Sequence, residues 1–419
     1  MNSAIIKGTS SVLVSLIWLS AVLQMINGFS PTRTAIQSVD RTAASSLHNN
    51  MVPPGVEDTI LTRSQALAYP LGFLAAFRTG AALSVINQPR MPPISRSVGS
   101  SVWRLPSGTR VKLFYPTERS SDDNYLESDI MAPYCTDGRQ TSDGMASMVG
   151  FRLGLEFLLA HLANASSGCV ADALIQLTND LPLLVYSHGY GGNMDMATYF
   201  FRTMASKGVI VAALEHTDGT ASSTVLEDGS ERKFNEYFMT GRQQLTRRAS
   251  ELLEAVEYLP KEIERIHSAK VTTIMLGGHS FGAPSAVMAA NGASQDSNVC
   301  GLILHDPALG MGYGMLPPNG AKSRIPTITY VSDEYNRANV RYGDLTLHVK
   351  GVYHGNFVDA PLWAPIIVMR LLSLIIPAAG PANPMEVHEQ LSQSAFEFMK
   401  WKDPANPVVM SGGLFEFVK

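Results

Sequence analysis

An α/β fold with one mostly parallel, doubly wound sheet is the architecture the sequence predicts, and three observations carry it. Six short apolar runs, at residues 182–186, 209–214, 271–276, 301–304, 327–331 and 346–349, have the length of buried strands. Helix-compatible stretches separate most of them, notably 197–207 and 243–258, and strands alternating with helices imply right-handed crossovers and parallel pairing. The third observation is Gly278-His279-Ser280-Phe281-Gly282, which follows the run at 271–276 and precedes the helix-compatible residues 283–290. A G-x-S-x-G turn between strand and helix reads as a nucleophile elbow. Its glycines allow backbone to approach too closely for Cβ atoms, and the turn lifts the serine hydroxyl clear of the sheet edge.

The chain of 419 residues, 45% of them hydrophobic, can bury one large core, and the order of its motifs assigns residues 102–419 to a single catalytic domain. A formal net charge of -4 lacks the basic footprint of phosphate-backbone binding, so nucleic acid is not an expected partner. Three cysteines allow at most one disulfide, and Cys300, at the start of a strand-like run, reads as a buried core thiol. No CxxC or His-rich spacing suggests a metal ion, and no cofactor is expected.

Residues 1–28 read as a signal peptide: Lys7 precedes an apolar run at 12–23 that is too short to span a bilayer comfortably. Residues 29–101 read as leader or linker. Within them, 30–50 is rich in Ser, Thr and Ala, with Arg33 and Arg41 against the single acid Asp40, the composition of a transit peptide. A signal followed by Phe29 and such a stretch resembles a bipartite plastid presequence, so secretion or endomembrane residence and plastid delivery both stand open. The apolar stretch at 66–86, broken by Pro70, Gly72, Arg78 and Gly80, reads as a surface helix.

Strand signals begin at 110–115, stopped by Pro116, and a polar loop covers 123–137. Residues 148–163 read as one nearly all-apolar helix whose narrow polar stripe is Arg152, Glu156 and His161. Such a helix is either a cap on the core or a lipid-interface element. The run at 366–376, closed by Pro365 and Pro377 and too short to span, is a second expected lipid contact. Asn164-Ala165-Ser166 is a glycosylation acceptor if the chain meets the endoplasmic reticulum.

A serine hydroxyl becomes a nucleophile when a base takes its proton, and the base is held in one tautomer by an acid. With Ser280 as nucleophile, His354 fits the base, because it lies just past the last central strand where a loop can bring imidazole over the elbow. His388, in a polar helix-like segment at 386–400, reads as a surface residue, and His348 falls inside a strand. His188, His216, His279 and His305 flank earlier turns and read as structural. Spacing leaves two acids, Asp306 after the strand ending at Leu304 and Asp333 after the strand ending at Val331; Asp359 follows the base and does not fit the order. Two backbone N–H groups are needed for the oxyanion. Phe281 supplies one, and Tyr190 in Ser187-His188-Gly189-Tyr190-Gly191-Gly192 the other.

Taken together, the oxyanion-loop segment 183–191, the strand and acidic turn at 209–218, the elbow, the segment 300–306 and the segment 351–357 with Asp359 resemble the platelet-activating factor acetylhydrolase family, serine lipases of the α/β-hydrolase fold. The resemblance runs from about Val111 to near Met399. It implies Asp306 as the acid and His354 as the base, with Ser332-Asp333-Glu334-Tyr335 matching a noncatalytic family segment. It further implies calcium-independent hydrolysis of the sn-2 acetyl or short acyl ester of phospholipids, with peripheral association to lipid surfaces. Thr217 stands where a basic residue is usual after the Glu-His pair, Ala283 where a further glycine is common, and His305 is one extra residue before the acid, which keeps Asp333 open. The competing readings are a soluble carboxylesterase or a polyester- or dienelactone-type hydrolase of the same fold, and a non-catalytic lipid-binding protein.

Overall fold

Strands that are apolar on both faces must be covered on both faces, and the chain provides helices for each side. The computed structural model describes residues 97–117, 130–148, 156–176, 181–363, 379–400 and 413–418. The signal and transit readings, the apolar stretch at 66–86 and the run at 366–376 lie outside the described residues. In chain order the elements are β1 (Val98–Arg104), β2 (Arg110–Pro116), β3 (Met131–Pro133), α1 (Arg139–Met148), β4 (Ser166–Ala171), β5 (Leu181–Ser187), α2 (Thr198–Ser206) and β6 (Ile210–Glu215). A small hairpin follows, β7 (Ser223–Val225) and β8 (Glu231–Lys233), then α3 (Gly241–His267), β9 (Val271–His279), α4 (Gly282–Gly292) and β10 (Val299–His305). The chain continues with β11 (Thr327–Val331), α5 (Asp333–Arg337), β12 (Leu345–Val349), α6 (Pro384–Met399) and β13 (Phe415–Phe417).

Eleven of these strands form one sheet in the order β13-β12-β11-β10-β9-β5-β6-β2-β1-β4-β3. The six strands from β12 to β6 pair in parallel, while β2 and β13 flank them antiparallel. Alternation along each strand feeds two separate cores. Leu183, Val185, Ile210, Ala212 and Leu214 pack with α3 and α4 on one face, whereas Leu184, Tyr186, Val211 and Ala213 pack with α2 and α6 on the other. The predicted doubly wound α/β architecture is therefore the one observed. From β5 the chain moves to β6 on one side and later returns to β9 on the other, so the β5/β9 boundary is the topological switch point, where α/β sheets open a crevice at their carboxyl ends.

Helix α3 runs nine residues beyond the end expected at Tyr258, through Pro260 to His267. Its start is set by a capping box between Thr240 and Gln243. A proline inside a helix costs about 3 kcal/mol, but Leu259 and Ile263 continue the buried stripe. Burying two such side chains contributes roughly 3–6 kcal/mol, enough to carry the helix past the proline.

Other expectations change. The sheet begins at Val98, ahead of the expected domain start, and β3, β4 and β13 are short strands without a local signal. Residues 148–163 do not form one helix: Met148 ends α1, and Glu156–Asn164 is a 3-10 segment. Leu159, His161 and Leu162 there are buried, which fits the reading of this segment as a cap. Asn164 is exposed at the end of this segment. His388 is fully buried against Tyr199, because the inner stripe of α6 is wide enough to include it. Cys300 is exposed, since the register shift between Val299 and Gly301 turns it out of the core, and the three cysteines are free. Among the described residues no helix is long and apolar enough to cross a membrane.

The loop beyond β12 is anchored by a buried polar cluster. Tyr134 Oη donates to Asp359 Oδ2 at 3.0 Å, Trp363 Nε1 donates to Tyr134 Oη at 2.7 Å, and Asp359 also receives the Tyr199 N–H at the start of α2. Burial pushes the Asp359 carboxyl up to about 8, which the bonds from Tyr134 and Tyr199 only partly oppose. The folded protein therefore binds a proton there that the unfolded chain has already released above its ordinary range. That stabilisation is complete below the unfolded value and is lost as pH rises through about 8. Glu215, also pushed up to about 8 by burial despite nearby Arg110, acts in the same window. Above the ordinary histidine range, where the buried neutral histidines no longer contribute a slope, thermal unfolding from about pH 7 to about pH 9 should show declining stability, and Asp359→Asn, which stays neutral, should remove its share of that slope. An unchanged slope in the variant would contradict the protonated carboxyl.

Candidate active site

At the switch point the β9–α4 turn presses against the end of β5. A Cβ added to Gly282 would lie 2.0 Å from the Ser187 carbonyl oxygen, and one added to Gly278 would lie 2.3 Å from the Gly282 carbonyl carbon. Only glycine fits either position. Between them Ser280 takes a left-handed backbone conformation with φ 56°, which for a non-glycine residue stores strain and is typical of functional turns. Its N–H donates to the His305 carbonyl at 3.0 Å, and its own carbonyl accepts from Ala308 N–H at 3.1 Å. These bonds tie the elbow to the end of β10.

That tie decides which acid stands nearby. His279 and His305 are paired in register across β9 and β10, so Ser280 and Asp306 leave neighbouring strands at the same level. Asp306 is fully buried, with φ 45°, and its Oδ1 receives the Ser332 N–H at 2.7 Å. Its Oδ2 lies 2.8 Å from His354 Nδ1, so the imidazole donates there and Nε2 carries the lone pair. Asp333 is engaged elsewhere, 2.8 Å from His348 Nε2 and 3.2 Å from the Gly351 N–H. Asp359 is committed to the Tyr134 cluster.

Several side chains outside the expected set hold His354. Glu334 Oε2 accepts its backbone N–H at 3.2 Å, Tyr335 stacks on its ring at 5.2 Å and 10°, and His279 Nε2 donates to its carbonyl at 3.2 Å. His279 is buried, and that burial, followed by the charge His354 can carry, pushes its pKa well down, so it stays neutral. His305 points into the opposite core, where Tyr186 Oη lies 2.8 Å from its Nδ1 and burial pushes it down to about 3. The extra histidine before Asp306 is thus part of the packing.

On the other side of Ser280 lies the turn after β5. A Cβ at Gly189 would come within 3.1 Å of Ser280 Cβ, and the Tyr190 and Phe281 rings meet edge to face at 5.7 Å. Among the described residues, neither the Tyr190 nor the Phe281 N–H has a protein acceptor. The turn rests on a buried polar layer: Ser187 Oγ lies 2.7 Å from His216 Nε2, His216 Nδ1 lies 2.6 Å from Glu251 Oε2, and Arg248 Nε donates to Asp218 Oδ2 at 2.9 Å. Glu251 also receives Thr217 N–H and Arg247 Nε, so an arginine from α3 reaches the position after the Glu-His pair, where the sequence carries Thr217. The missed signal was in α3. Arg248 and Glu251 share its apolar stripe with Leu245 and Leu252, and a charge on a buried stripe requires a buried partner.

The arrangement has the parts of nucleophilic acyl transfer: a hydroxyl on a strained turn, an imidazole oriented by a buried carboxylate, and two unengaged N–H groups beside the hydroxyl. Gly282→Ala should destabilise the fold by on the order of 1–3 kcal/mol. Gly310→Ala, where an added Cβ meets nothing within 4 Å, should be near neutral. Chemical denaturation measures both, and equal stability would contradict the close approach at Gly282.

Residues 103–404 match the family model described as platelet-activating factor acetylhydrolase, isoform II. The platelet-activating factor acetylhydrolase of Bos taurus is 25% identical over 317 residues, covering 64% of this chain and 66% of the bovine protein. The Cavia porcellus protein of the same name is 25% identical over 309 residues, 63% of this chain and 66% of that protein. The chain thus spans just under two thirds of the length of these relatives. Among solved structures, a ferulic acid esterase from Streptomyces cinnamoneus superposes with a TM-score of 0.56 at 21% identity, over 80% of this chain and 100% of that one, which shows the shared fold. With the family model covering most of the chain, the protein belongs to the platelet-activating factor acetylhydrolase, isoform II, family.

Proposed function

We propose that the protein is a calcium-independent serine esterase that removes the sn-2 acetyl or short acyl group from platelet-activating-factor-like phospholipids through an acyl-enzyme. The observation that carries the esterase reading is the Asp306–His354 pair at 2.8 Å beside the strained elbow of Ser280; membership of the family supports the phospholipid substrate.

In this mechanism Ser280 Oγ attacks the sn-2 ester carbonyl while His354 Nε2 takes its proton. Asp306 holds the imidazole through Nδ1 and stabilises the imidazolium that forms. Tyr190 and Phe281 N–H groups receive the charge that develops on the carbonyl oxygen. Collapse of the tetrahedral intermediate expels the lysophospholipid alkoxide, which takes the proton from His354. Water, activated by the same imidazole, then releases the acid. Nucleophile, base, acid and oxyanion donors all come from the chain, and this supports hydrolysis without calcium.

The test sets an sn-2 acetyl ether phosphocholine against a long-chain phosphatidylcholine, with calcium chelated. Selective acetyl release is expected, falling by roughly a million-fold in Ser280→Ala. Turnover of soluble short esters alone would move the substrate to a soluble carboxylesterase and leave the triad standing. Turnover that survives Ser280→Ala would overturn the mechanism. For the acid, Asp306→Asn should lower kcat by about 10⁴-fold through the wrong imidazole tautomer, while Asp333→Asn, which keeps an amide oxygen for the Gly351 N–H, should cost far less; the reverse ranking would reassign the acid.

A further inference from the structure

Arg248 lies in the first third of α3 with its guanidinium fully buried beneath the elbow. Nε donates to Asp218 Oδ2 at 2.9 Å, Nη1 donates to the His188 carbonyl at 2.5 Å, and Nη2 donates to Thr220 Oγ1. Its Cζ lies over the Phe281 ring, 4.8 Å from the centroid. One side chain therefore touches both halves of the oxyanion-binding region. His188 is two residues before Tyr190, and Thr220 accepts the Gly191 N–H at 2.8 Å, so the peptide that presents Tyr190 N–H is held from both ends. Phe281, whose N–H is the other donor, is held through its ring.

We infer that Arg248 is the positioning residue of the oxyanion hole, a single buried cation that sets Tyr190 N–H and Phe281 N–H in register with each other. The inference rests on the reading of those two groups as oxyanion donors.

A buried ion pair contributes little net stability, because desolvating both charges costs about as much as their attraction returns. Arg248 with Asp218 is therefore a poor device for holding the core together. As a spacer it is well suited. Guanidinium offers donors in a rigid plane and a flat face that stacks on an aromatic ring, and a lysine ammonium offers neither. Asp218, which also receives Thr220 N–H and Oγ1, fixes the angle of that plane. The buried Ser187–His216–Glu251 chain supports the same turn from the β5 side, but it touches neither donor residue.

The experiment uses the full chain, 4-nitrophenyl acetate as a soluble ester, and a trifluoromethyl ketone that forms a tetrahedral adduct with the serine. Arg248→Lys keeps a cation for Asp218 and loses the fork and the flat face. We expect a folded variant whose kcat falls about 10- to 100-fold with KM nearly unchanged, and whose affinity for the ketone falls by the same factor. The acid limb of its pH–rate profile should not move, because the Asp306–His354 pair is untouched. Wild-type kcat and ketone affinity in the folded variant would overturn the inference. So would a loss confined to KM, or a displaced pH profile. If Arg248→Lys does not fold, Thr220→Val decides: it removes the Nη2 acceptor and keeps the backbone bond to Gly191. It should lower kcat and ketone affinity together by several-fold, and no change in either would overturn the inference. Because the probe is a soluble ester, failure of phospholipid turnover would leave each of these outcomes readable.

Discussion

The approach of the Gly282 backbone to the Ser187 carbonyl is the constraint on which the site depends. With no Cβ at 282, the start of α4 lies directly against the end of β5, and the two segments leaving those ends, the elbow and the turn at 188–192, become neighbours. Everything polar around Ser280 is arranged across that contact. The same closeness forces Ser280 into a positive φ, and the strain is held by bonds to His305 and Ala308 on the β10 side. A strained turn persists only when its surroundings over-determine it, and here parallel strands on both sides do so.

The base side is built differently. His354 comes from a loop, and loops position side chains poorly unless their own backbone is tied down. The tie is the segment after β11: Ser332 N–H on Asp306, Glu334 on the His354 N–H, Tyr335 on the imidazole face. Asp333 in the middle of this run is drawn to His348 and Gly351, which secures the start of the base loop without reaching its imidazole. Two carboxylates that look equivalent along the chain thus have separate tasks, one orienting the imidazole and one anchoring the loop that carries it.

Part of the buried charge lies beneath these two layers. Arg248, Asp218 and Glu251 are buried, as are His188 and His216, and burial pushes both histidines well below their ordinary range. Neutral imidazoles are therefore available as hydrogen-bond relays. His188 donates from Nδ1 to the Gly189 carbonyl and accepts the His216 N–H at Nε2. The layer converts a glycine-rich turn, which would otherwise be mobile, into a surface of fixed peptides.

The α/β class, the six central parallel strands and the elbow with Ser280 were legible along the chain, because they follow from local periodicity and from glycines whose geometry is local; His354, the histidine that meets Asp306, was legible from its place just past the last central strand. The choice between Asp306 and Asp333 could not follow from spacing. It depends on the register of β9 against β10, a long-range pairing that puts Asp306 level with Ser280. Packing of whole elements also set the buried state of His388, the exposure of Cys300 at a bulge, the 3-10 form of Glu156–Asn164, and the extension of α3 past Pro260. In each case the local signal was overridden by what packed against it. The Arg248 layer shows the same limit. A charge on an apolar stripe was visible along the chain, but its partners lie up to 61 residues away, and only the folded sheet brings them within hydrogen-bonding distance.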